Sequence, residues 1–141
     1  MENEFVLHSG WNTRLSRPYA VRGSENLIAK LKHEMFSGIT VTAPGFYGPQ
    51  GRILRLHPVM KNLNEKLTSF AFKPAARNLQ SQSRITNFEM ETSALYGLGR
   101  ALGHNCCTVC VIIANRIIRQ YSKNPQKSID RLIRTVLDRI P

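Results

Sequence analysis

Residues 107–115 (CTVCVIIAN) form an unbroken run of apolar and largely β-branched side chains. Such a run predicts a β-strand whose two faces are both covered by other parts of the protein. Residues 125–141 follow it, and their apolar side chains recur at i, i+3, i+4 and i+7 from Ile129, which predicts an amphipathic helix. A covered strand followed by an amphipathic helix favours an α/β layer structure.

The same alternation of strand and helix appears earlier in the chain. A helix is predicted to begin at Ser24 and to end at Gly38, and residues 38–43 (GITVTA) predict a strand after it. Residues 85–89 (ITNFE) predict another strand, which leads into a helix that Gly103 ends. This order indicates an α/β fold with a partly parallel sheet.

Other parts of the chain carry less distinct patterns. They predict a short strand at residues 53–58 (ILRLHP), a helix beginning at Asn62 and an exposed excursion at residues 73–84. Residues 1–22 show no clear period and predict irregular chain. We treat residues 1–141 as a single α/β unit, which is the usual size of one domain.

The protein is strongly basic, with a formal net charge of +11. Such a charge attracts nucleic acid or membrane phosphate. The basic residues are spread along the chain without a dense block, so a basic, non-catalytic nucleic-acid-binding module is an alternative and not the main interpretation. No apolar run approaches the roughly 20 residues of a membrane span, and the N-terminus is no secretory signal. We expect a cytoplasmic protein with no membrane partner.

The three cysteines, Cys106, Cys107 and Cys110, lie close together. An odd number of cysteines in one segment does not suit a disulfide framework and favours a reducing compartment. Cys107 and Cys110 have C-x-x-C spacing, but no second Cys/His pair stands at a matching interval for zinc. We interpret the cysteines as small apolar residues of the predicted strand and expect no metal site.

Polar clusters follow three of the predicted strands, namely Phe46–Gln50–Arg52, Glu89–Met90–Glu91 and Asn115–Arg116. In open α/β sheets, ligands bind outside the carboxyl ends of the strands, so these side chains are candidates for one site. An amide beside a guanidinium suits the alternating carbonyl and N–H groups of a flat heterocycle, on which an aromatic ring can stack. A carboxylate that accepts two hydrogen bonds suits the vicinal diol of ribose. The clusters predict a base-reading site next to a sugar-binding site.

The segments that carry these clusters resemble a known family. Residues 38–52 (GITVTAPGFYGPQGR), 87–104 (NFEMETSALYGLGRALGH) and 111–116 (VIIANR) are similar to the C-terminal half of uridine phosphorylases in the nucleoside phosphorylase family. The resemblance extends from about Ser24 onward, in the family's order and spacing. It implies that the chain forms part of the family's mixed sheet flanked by helices.

The resemblance implies a role for each candidate residue at the base. Gln50 and Arg52 match the pair that reads uracil, and Phe46 matches the aromatic residue at the base. The rest of the base pocket matches Ile113, Ala114 and Arg116.

The ribose contacts match the second cluster. Met90 and Glu91 correspond to residues that contact ribose, and Glu91 holds its hydroxyl groups. Glu89 corresponds to a structural neighbour of that pair.

The implied reaction is phosphorolysis of uridine to uracil and ribose 1-phosphate, with inorganic phosphate as co-substrate and no cofactor. Purine-specific relatives place an Asp after the last core strand to protonate the leaving base, whereas this chain reads IIANR there. A leaving uracil anion instead needs cationic donors, which Arg52 offers. Arg52 and Glu91 are therefore the catalytic candidates. A nucleosidase of the same superfamily, which uses water in place of phosphate, is a further alternative.

The family's phosphate site is built from its N-terminal half, and its Gly-rich turn and arginines have no counterpart in this sequence. The resemblance therefore implies a fragment, a truncated gene product or a half that needs its complement. Such a chain would carry the base and ribose subsites without the phosphate site. Because the family completes each active site with residues from a neighbouring subunit, the resemblance also implies a homo-oligomer.

Overall fold

A small mixed sheet with helices around it forms the framework of the protein. The computed structural model describes residues 1–73 and 83–140. The helices in this part of the chain are α1 (Glu2–Ser9), α2 (Glu25–Leu31), α3 (Leu63–Ser69), α4 (Thr92–Ala101) and α5 (Pro125–Leu137). The strands are β1 (Ile39–Thr42), β2 (Ala71–Phe72), β3 (Ser83–Glu89), β4 (Ala114–Asn115) and β5 (Gln120–Tyr121), and a 3-10 turn covers Gly48–Gln50.

The sheet has the strand order β1-β3-β2, with β3 in the centre. β1 runs parallel to β3, in a register that pairs Ile39 with Ile85 and Thr42 with Glu89. β2 runs antiparallel to β3. Because β1 and β3 are parallel, their carboxyl ends lie at the same edge of the sheet. The predicted α/β fold with a mixed sheet and flanking helices is confirmed.

Local sequence signals set the ends of the helices. The Ser24 hydroxyl accepts a hydrogen bond from the Leu27 N–H at the start of α2, and the Asn124 side chain accepts one from the Lys127 N–H at 3.0 Å at the start of α5. These are N-caps, which satisfy backbone donors that have no partner inside the helix. After α4, Gly103 adopts φ +75°, as the prediction of a helix end there requires.

Two predicted elements are wrong in extent or in kind. α2 ends at Leu31 instead of reaching Gly38, because the chain turns at Glu34, which has φ +60° and cannot continue a right-handed helix. Residues 54–56 form a bend, and no strand forms at residues 53–58. Leu54 and Leu56 are exposed there, so no packing supports an extended conformation.

The predicted buried strand at residues 107–115 is also wrong, apart from its last two residues. Ala114–Asn115 form β4 and pair only with β5, in a short antiparallel hairpin, while Cys110 and Ile112 are exposed. A strand needs a neighbouring backbone to pair with. Here the backbone carbonyl of Cys106 accepts from the Ser24 N–H, and the Thr108 N–H donates to the Tyr96 hydroxyl at 2.7 Å. A loop and a side chain thus take the place of a strand partner.

The hydrophobic core lies against the sheet on the side of α3. Met60, Leu63 and Leu67 are buried, and partly buried side chains pack around them, namely Phe5, Trp11, Val41, Ile85 and Phe88. α1 supplies Phe5, whose ring meets Phe70 edge-to-face at 5.2 Å between centroids. The sequence predicts irregular chain in residues 1–22, yet α1 forms there because Phe5 and Trp11 anchor it to this core.

The remaining expectations for the fold concern the linking segments. The helix predicted to begin at Asn62 is confirmed as α3. Most of the excursion predicted at residues 73–84 lies outside the described residues. In residues 1–73 and 83–140, no helix combines the length and the apolar character that crossing a membrane requires.

Candidate active site at the carboxyl ends of β1 and β3

The parallel pair β1–β3 brings two of the predicted clusters to one edge of the sheet. Thr42, the last residue of β1, lies opposite Glu89, the last residue of β3, and the Ala43 N–H donates to the Glu89 carbonyl at 2.9 Å. The chain then leaves β1 toward the loop at residues 44–52 and leaves β3 toward Met90 and α4. This is the edge at which α/β sheets bind ligands.

Glu89 holds the junction between β3 and α4. Its carboxylate accepts the backbone N–H groups of Glu91 at 2.7 Å and Thr92 at 2.6 Å, and it also accepts the hydroxyl of Thr42. Burial by itself raises the pKa of Glu89, but the hydrogen bonds from Thr42, Glu91 and Thr92 outweigh it, so the pKa lies below its ordinary value. The carboxylate therefore serves the N-terminus of α4 and has little capacity left for a ligand.

Thr42 completes this junction from the neighbouring strand. Its hydroxyl donates to Glu89 and accepts the Ser93 N–H at 2.9 Å. The first N–H groups of α4 are thus satisfied by two side chains that face each other across the sheet. The sequence analysis missed this residue. The signal that could have found it is a hydroxyl at the end of one predicted strand and a carboxylate at the end of another, since the carboxyl ends of parallel strands meet at one edge of the sheet.

Met90 and Glu91 are left to project from the turn. The Met90 side chain is 42% exposed, and Glu91 is exposed as the residue before α4. In the part of the chain that the structure describes, the Glu91 carboxylate has no hydrogen-bond or ion-pair partner. Its backbone is held through Glu89 while its side chain stays available.

The loop after β1 turns Gln50 inward. The N–H groups of Gln50 and Arg52 both donate to the Tyr47 carbonyl at 3.0 Å. Gly51 has φ +71°, a conformation that favours glycine, and a Cβ there would lie 2.9 Å from the Asn64 side chain. This tight turn buries Gln50, which is only 3% exposed.

Two cations converge on this loop. The Arg52 guanidinium lies over the Phe46 ring, with its central carbon 3.6 Å from the ring centroid. Arg116 donates to the Gln50 backbone carbonyl at 3.2 Å and to the Gln50 side-chain oxygen. Burial, followed by the nearby charge of Arg52, lowers the pKa of Arg116 from its ordinary value. Two guanidiniums held next to each other make this a site that favours negative charge.

Arg116 reaches the loop because of the turn that follows β4. The Asn115 side chain accepts the N–H groups of Ile117 at 3.1 Å and Ile118 at 3.4 Å, which bends the chain immediately after Arg116. The guanidinium also lies over the Phe88 ring at 5.1 Å. Phe88 is a second contact that is not among the predicted site residues, since nothing in the local sequence distinguishes it from an ordinary residue of the sheet.

Ile113 and Ala114 precede Arg116 and are exposed. The Ile113 carbonyl accepts the Ser122 N–H at 2.8 Å, and Ala114 pairs with Tyr121 in the β4–β5 hairpin. Their assignment to the base pocket is what the family resemblance implies, and it stays a prediction. Among the described residues, no group of His, Cys, Asp and Glu side chains is arranged to hold a metal ion.

The structure thus brings Phe46, Gln50, Arg52 and Arg116 into one cluster, which we call the amide–guanidinium cluster. Glu89, Met90 and Glu91 leave the same edge of the sheet from the adjacent strand. The Phe88 ring under Arg116 directly precedes Glu89 in sequence and links the two groups. An amide, two cations and an aromatic ring on one side, with an available carboxylate on the other, can bind a polar heterocycle that carries a sugar.

Comparisons with known proteins show what the chain as a whole is similar to. The chain matches the family model of the phosphorylase superfamily over residues 2–137. It is 38% identical over 93 residues to the uridine phosphorylase of Thermococcus kodakarensis, a stretch that covers 64% of this chain and 29% of that protein.

The fold is similar to that of a solved nucleoside phosphorylase from Trypanosoma brucei, whose crystal structure is described as showing uridine phosphorylase activity. The TM-score is 0.82 at 24% sequence identity, and the match covers 99% of this chain but 48% of that one. The chain therefore spans less than half the length of the relatives it matches. Since the family model spans nearly all of its residues, the chain belongs to the phosphorylase superfamily.

Proposed function

We propose that the chain carries the base and ribose subsites of a uridine phosphorylase, which cleaves uridine with inorganic phosphate to uracil and ribose 1-phosphate. The observation that carries this proposal is the amide–guanidinium cluster at the same sheet edge as the available Glu91 carboxylate. The similarity to the uridine phosphorylase of Thermococcus kodakarensis supports the choice of substrate.

In the proposed base subsite, Gln50 and Arg52 hydrogen-bond the carbonyl and N–H groups of uracil while Phe46 contacts the ring. Ile113, Ala114 and Arg116 complete the pocket. The cation–π contact between Arg52 and Phe46 supports this proposal, because it holds the guanidinium stacked on one face of the aromatic ring before any ligand arrives. Such preorganisation reduces the entropy lost on binding.

In the proposed ribose subsite, Glu91 accepts hydrogen bonds from the sugar hydroxyls and Met90 packs against the sugar. Glu89 fixes the turn, since its carboxylate bonds the backbone N–H groups of Glu91 and Thr92. The two carboxylates differ in their hydrogen-bond partners. The Glu89 carboxylate accepts hydrogen bonds from the protein itself, whereas the Glu91 carboxylate is available to a ligand.

Cleavage of the glycosidic bond builds oxocarbenium character on the sugar and negative charge on the leaving base. Arg52 would stabilise the charge that develops on the uracil carbonyl oxygens, and Glu91 would hold the ribose in place and favour the cationic sugar. Phosphate is the nucleophile and co-substrate, so no cofactor is needed. Removing one such donor typically lowers kcat by about 10²–10³-fold.

The setting of the site is part of the same proposal. The chain corresponds to the C-terminal half of a phosphorylase-like domain as a single α/β unit, and the phosphate site would come from the other half. We propose a cytoplasmic homo-oligomer that binds a small nucleoside. Large exposed apolar side chains on α4 and α5 support association with another protein surface.

Calorimetric titration of the chain with uridine tests the proposal. Wild-type protein is expected to bind uridine. Gln50→Ala is expected to weaken binding at least about tenfold, since it removes the base contact and one of the two acceptors that Arg116 has on Gln50. Gln126→Ala, the same change at the exposed start of α5, is the matched control and should bind like wild type. Absence of uridine binding, or equal binding by Gln50→Ala, would refute the proposal.

Two other functions make different predictions. A nucleosidase of the same superfamily would release uracil without phosphate, whereas a phosphorylase completed by its other half requires phosphate. A basic nucleic-acid-binding module would bind mixed oligonucleotides with an affinity that falls steeply as salt rises. Because the net charge is +11, the nucleic-acid-binding alternative is tested by a gel-shift titration at low and moderate salt.

A further inference from the structure

A polar cleft lies at the opposite end of α4 from Glu91. It has a volume of about 340 Å³ and is lined by residues 22–26 together with Arg100 and Asn105. Glu91 directly precedes α4, whereas Arg100 lies in its last turn. Because the ten residues of α4 rise about 1.5 Å each, about 15 Å separates its two ends. We call this feature the distal cleft, and the proposed base and ribose subsites do not use it.

Hydrogen bonds join the two walls of the distal cleft. The Ser24 N–H donates to the Cys106 carbonyl at 2.7 Å, and the Ser24 hydroxyl donates to the side-chain oxygen of Asn105 at 3.1 Å. Gly23 lies against Tyr96, since a Cβ on Gly23 would come within 2.9 Å of the Tyr96 hydroxyl oxygen. The chain before α2 and the loop after α4 are therefore held together before any ligand binds, which reduces the cost of binding.

The side chains that line the distal cleft offer several hydrogen-bond donors. Arg22 and Arg100 each bring a guanidinium, which has donors only. The Asn105 side-chain oxygen accepts from Ser24, and this orientation leaves the N–H₂ group as a further donor. Within residues 1–73 and 83–140, no carboxylate pairs with Arg100. Two guanidiniums and an amide donor thus line one small cleft.

The Glu25 carboxylate also lines the distal cleft. It lies 3.9 Å from the Arg22 guanidinium, and both side chains are largely exposed. An exposed ion pair of this length contributes little energy, so it does not prevent Arg22 from binding another anion. Glu25 would repel that anion and compete with it for Arg22. Removing the Glu25 charge should therefore strengthen anion binding, which a purely structural role for the ion pair does not predict.

We propose that the distal cleft binds the phosphate group of a small molecule, either free phosphate or a phosphate monoester. Guanidiniums match the geometry of phosphate oxygens and form paired, charge-assisted hydrogen bonds with them. A phosphate group carries about −1.5 to −2 charge at pH 7 and several acceptor oxygens, which suits two cations and an amide donor. A volume of about 340 Å³ is near the lower end for small-molecule sites and favours a small ligand.

This inference does not depend on the proposed function, in which the co-substrate phosphate binds at a site from the other half. It is tested by titrating the isotope-labelled chain with sodium phosphate at constant ionic strength while following the backbone amide signals. Saturable shifts are expected at residues 22–26 and 100–106. The same shifts with glycerol 3-phosphate would show that the site accepts a monoester, and shifts with inorganic phosphate alone would identify free phosphate as the ligand. Equal binding of acetate, or no saturable shift at these residues, would overturn the inference.

A pair of arginine variants separates local contact from general charge attraction. Arg100→Gln should weaken phosphate binding at least about tenfold, since it removes charge-assisted hydrogen bonds. Arg131→Gln, at an exposed position on α5, lowers the net charge by the same amount and is the matched control. It should change phosphate binding by less than about twofold, because distant exposed charges are screened. Equal weakening by both variants would mean that only the net charge of +11 attracts phosphate, and the inference would be wrong.

A second pair of variants tests the predicted competition by Glu25. Glu25→Gln should strengthen phosphate binding about two- to fivefold, since it removes a like charge and releases Arg22. Glu65→Gln, at an exposed position on α3, raises the net charge equally and should bind phosphate like wild type. Unchanged or weaker binding by Glu25→Gln would contradict an anion bound beside Arg22.

Uridine titration of the same proteins separates this inference from the proposed function. Arg100→Gln should bind uridine like wild type, because Arg100 and Glu91 lie at opposite ends of α4. Uridine binding without phosphate shifts at the distal cleft would overturn the inference and leave the proposed function standing. Phosphate shifts confined to residues 46–52 and Arg116 would also overturn it, since the anion would then bind at the amide–guanidinium cluster. Phosphate binding at the distal cleft without any uridine binding would refute the proposed function alone.

Discussion

The layer formed by α1 and α3 buries its apolar side chains, whereas α4 and α5, whose sequences are more clearly amphipathic than that of α1, leave theirs exposed. In the first, which we call the packed layer, Leu63 and Leu67 are buried against the sheet together with Met60. In the second, which we call the open helices, the apolar stripes remain exposed, namely Leu95 and Leu98 on α4, Leu102 directly after it, and Ile129, Ile133 and Leu137 on α5.

The total accessible surface of the chain is larger than that of a compact monomer, and the open helices are among the parts that leave apolar side chains uncovered. The accessible area is 11,232 Å², whereas a compact monomer of 16.0 kDa exposes about 7,400 Å². An amphipathic pattern predicts that a helix forms and which of its faces is apolar. It does not specify what covers that face. Stability in this chain is therefore concentrated in the packed layer, while the open helices depend on local signals such as caps.

Removing a side chain from the packed layer should have the largest effect on stability. Leu67, 4% exposed, fills the centre of the core, and Leu67→Ala should lower the free energy of unfolding by about 2–5 kcal/mol through lost burial and a cavity. Urea unfolding followed by circular dichroism measures the change. Leu98→Ala, at a side chain that is 66% exposed on α4, is the matched control and should cost under about 1 kcal/mol. Equal losses at both positions would erase the contrast between the two regions.

The next largest effect is expected at the junction where the sheet meets the open helices. Glu89→Gln weakens the carboxylate bonds to the N–H groups of Glu91 and Thr92 and should cost about 1–3 kcal/mol. The pKa of Glu89 is lowered in the folded state, so its stabilisation is present above the ordinary carboxyl pKa and is lost as the pH falls through the lower folded value.

The pH dependence provides the measurement. The stability of wild type should fall between pH 5 and the acid limit of folding by more than that of Glu89→Gln, since the variant lacks the titrating group. Glu65→Gln, at an exposed position on α3, is the control and should keep the wild-type profile. Parallel pH profiles for wild type and Glu89→Gln would show that the carboxylate does not hold this junction.

The contrast between the two regions also explains what the sequence predicted well. β1, β3, α4 and α5 have signals within a few residues, namely β-branched runs, capping side chains and helical periodicity, and each was predicted close to its observed limits. The run at residues 107–113 has an equally strong local signal but forms no strand, because pairing depends on a second backbone that local sequence does not specify.

The candidate site was likewise predictable where the signal is local and not where it depends on contacts between distant parts of the chain. The clusters at residues 46–52 and 89–91 were predictable as strand-end residues, and the parallel register of β1 and β3 makes them neighbours. The bond between Arg116 and Gln50 was not predictable from either local stretch, since the residues are 66 positions apart and meet only through the fold. Thr42 and Phe88 were missed for the same reason.

A smaller effect is expected from the cap of α5. The Asn124 side chain accepts the Lys127 N–H at 3.0 Å, so Asn124→Ala should destabilise this helix by about 1 kcal/mol. Because α5 buries none of its residues fully, the loss should appear as faster amide exchange in residues 125–137 more than as a lower urea midpoint. Asn124→Asp keeps a capping oxygen and should retain wild-type exchange. A shift of the global midpoint as large as that of Leu67→Ala would instead mean that α5 unfolds together with the core.

The smallest effect on stability is expected from placing a charged side chain on the apolar stripe of α5, a change that would be very disruptive in a buried core. Ile133 lies at the centre of the α5 stripe and is 51% exposed, so Ile133→Glu should alter the free energy of unfolding by no more than about 0.5 kcal/mol. Arg134→Glu, one position along on the exposed side, sets the scale for a charge change alone. If Ile133→Glu destabilises the chain by several times more than Arg134→Glu in the same urea titration, the stripe on α5 is covered in solution. The contrast between a packed layer and open helices would then hold only for a single copy of the chain and not for the protein in solution.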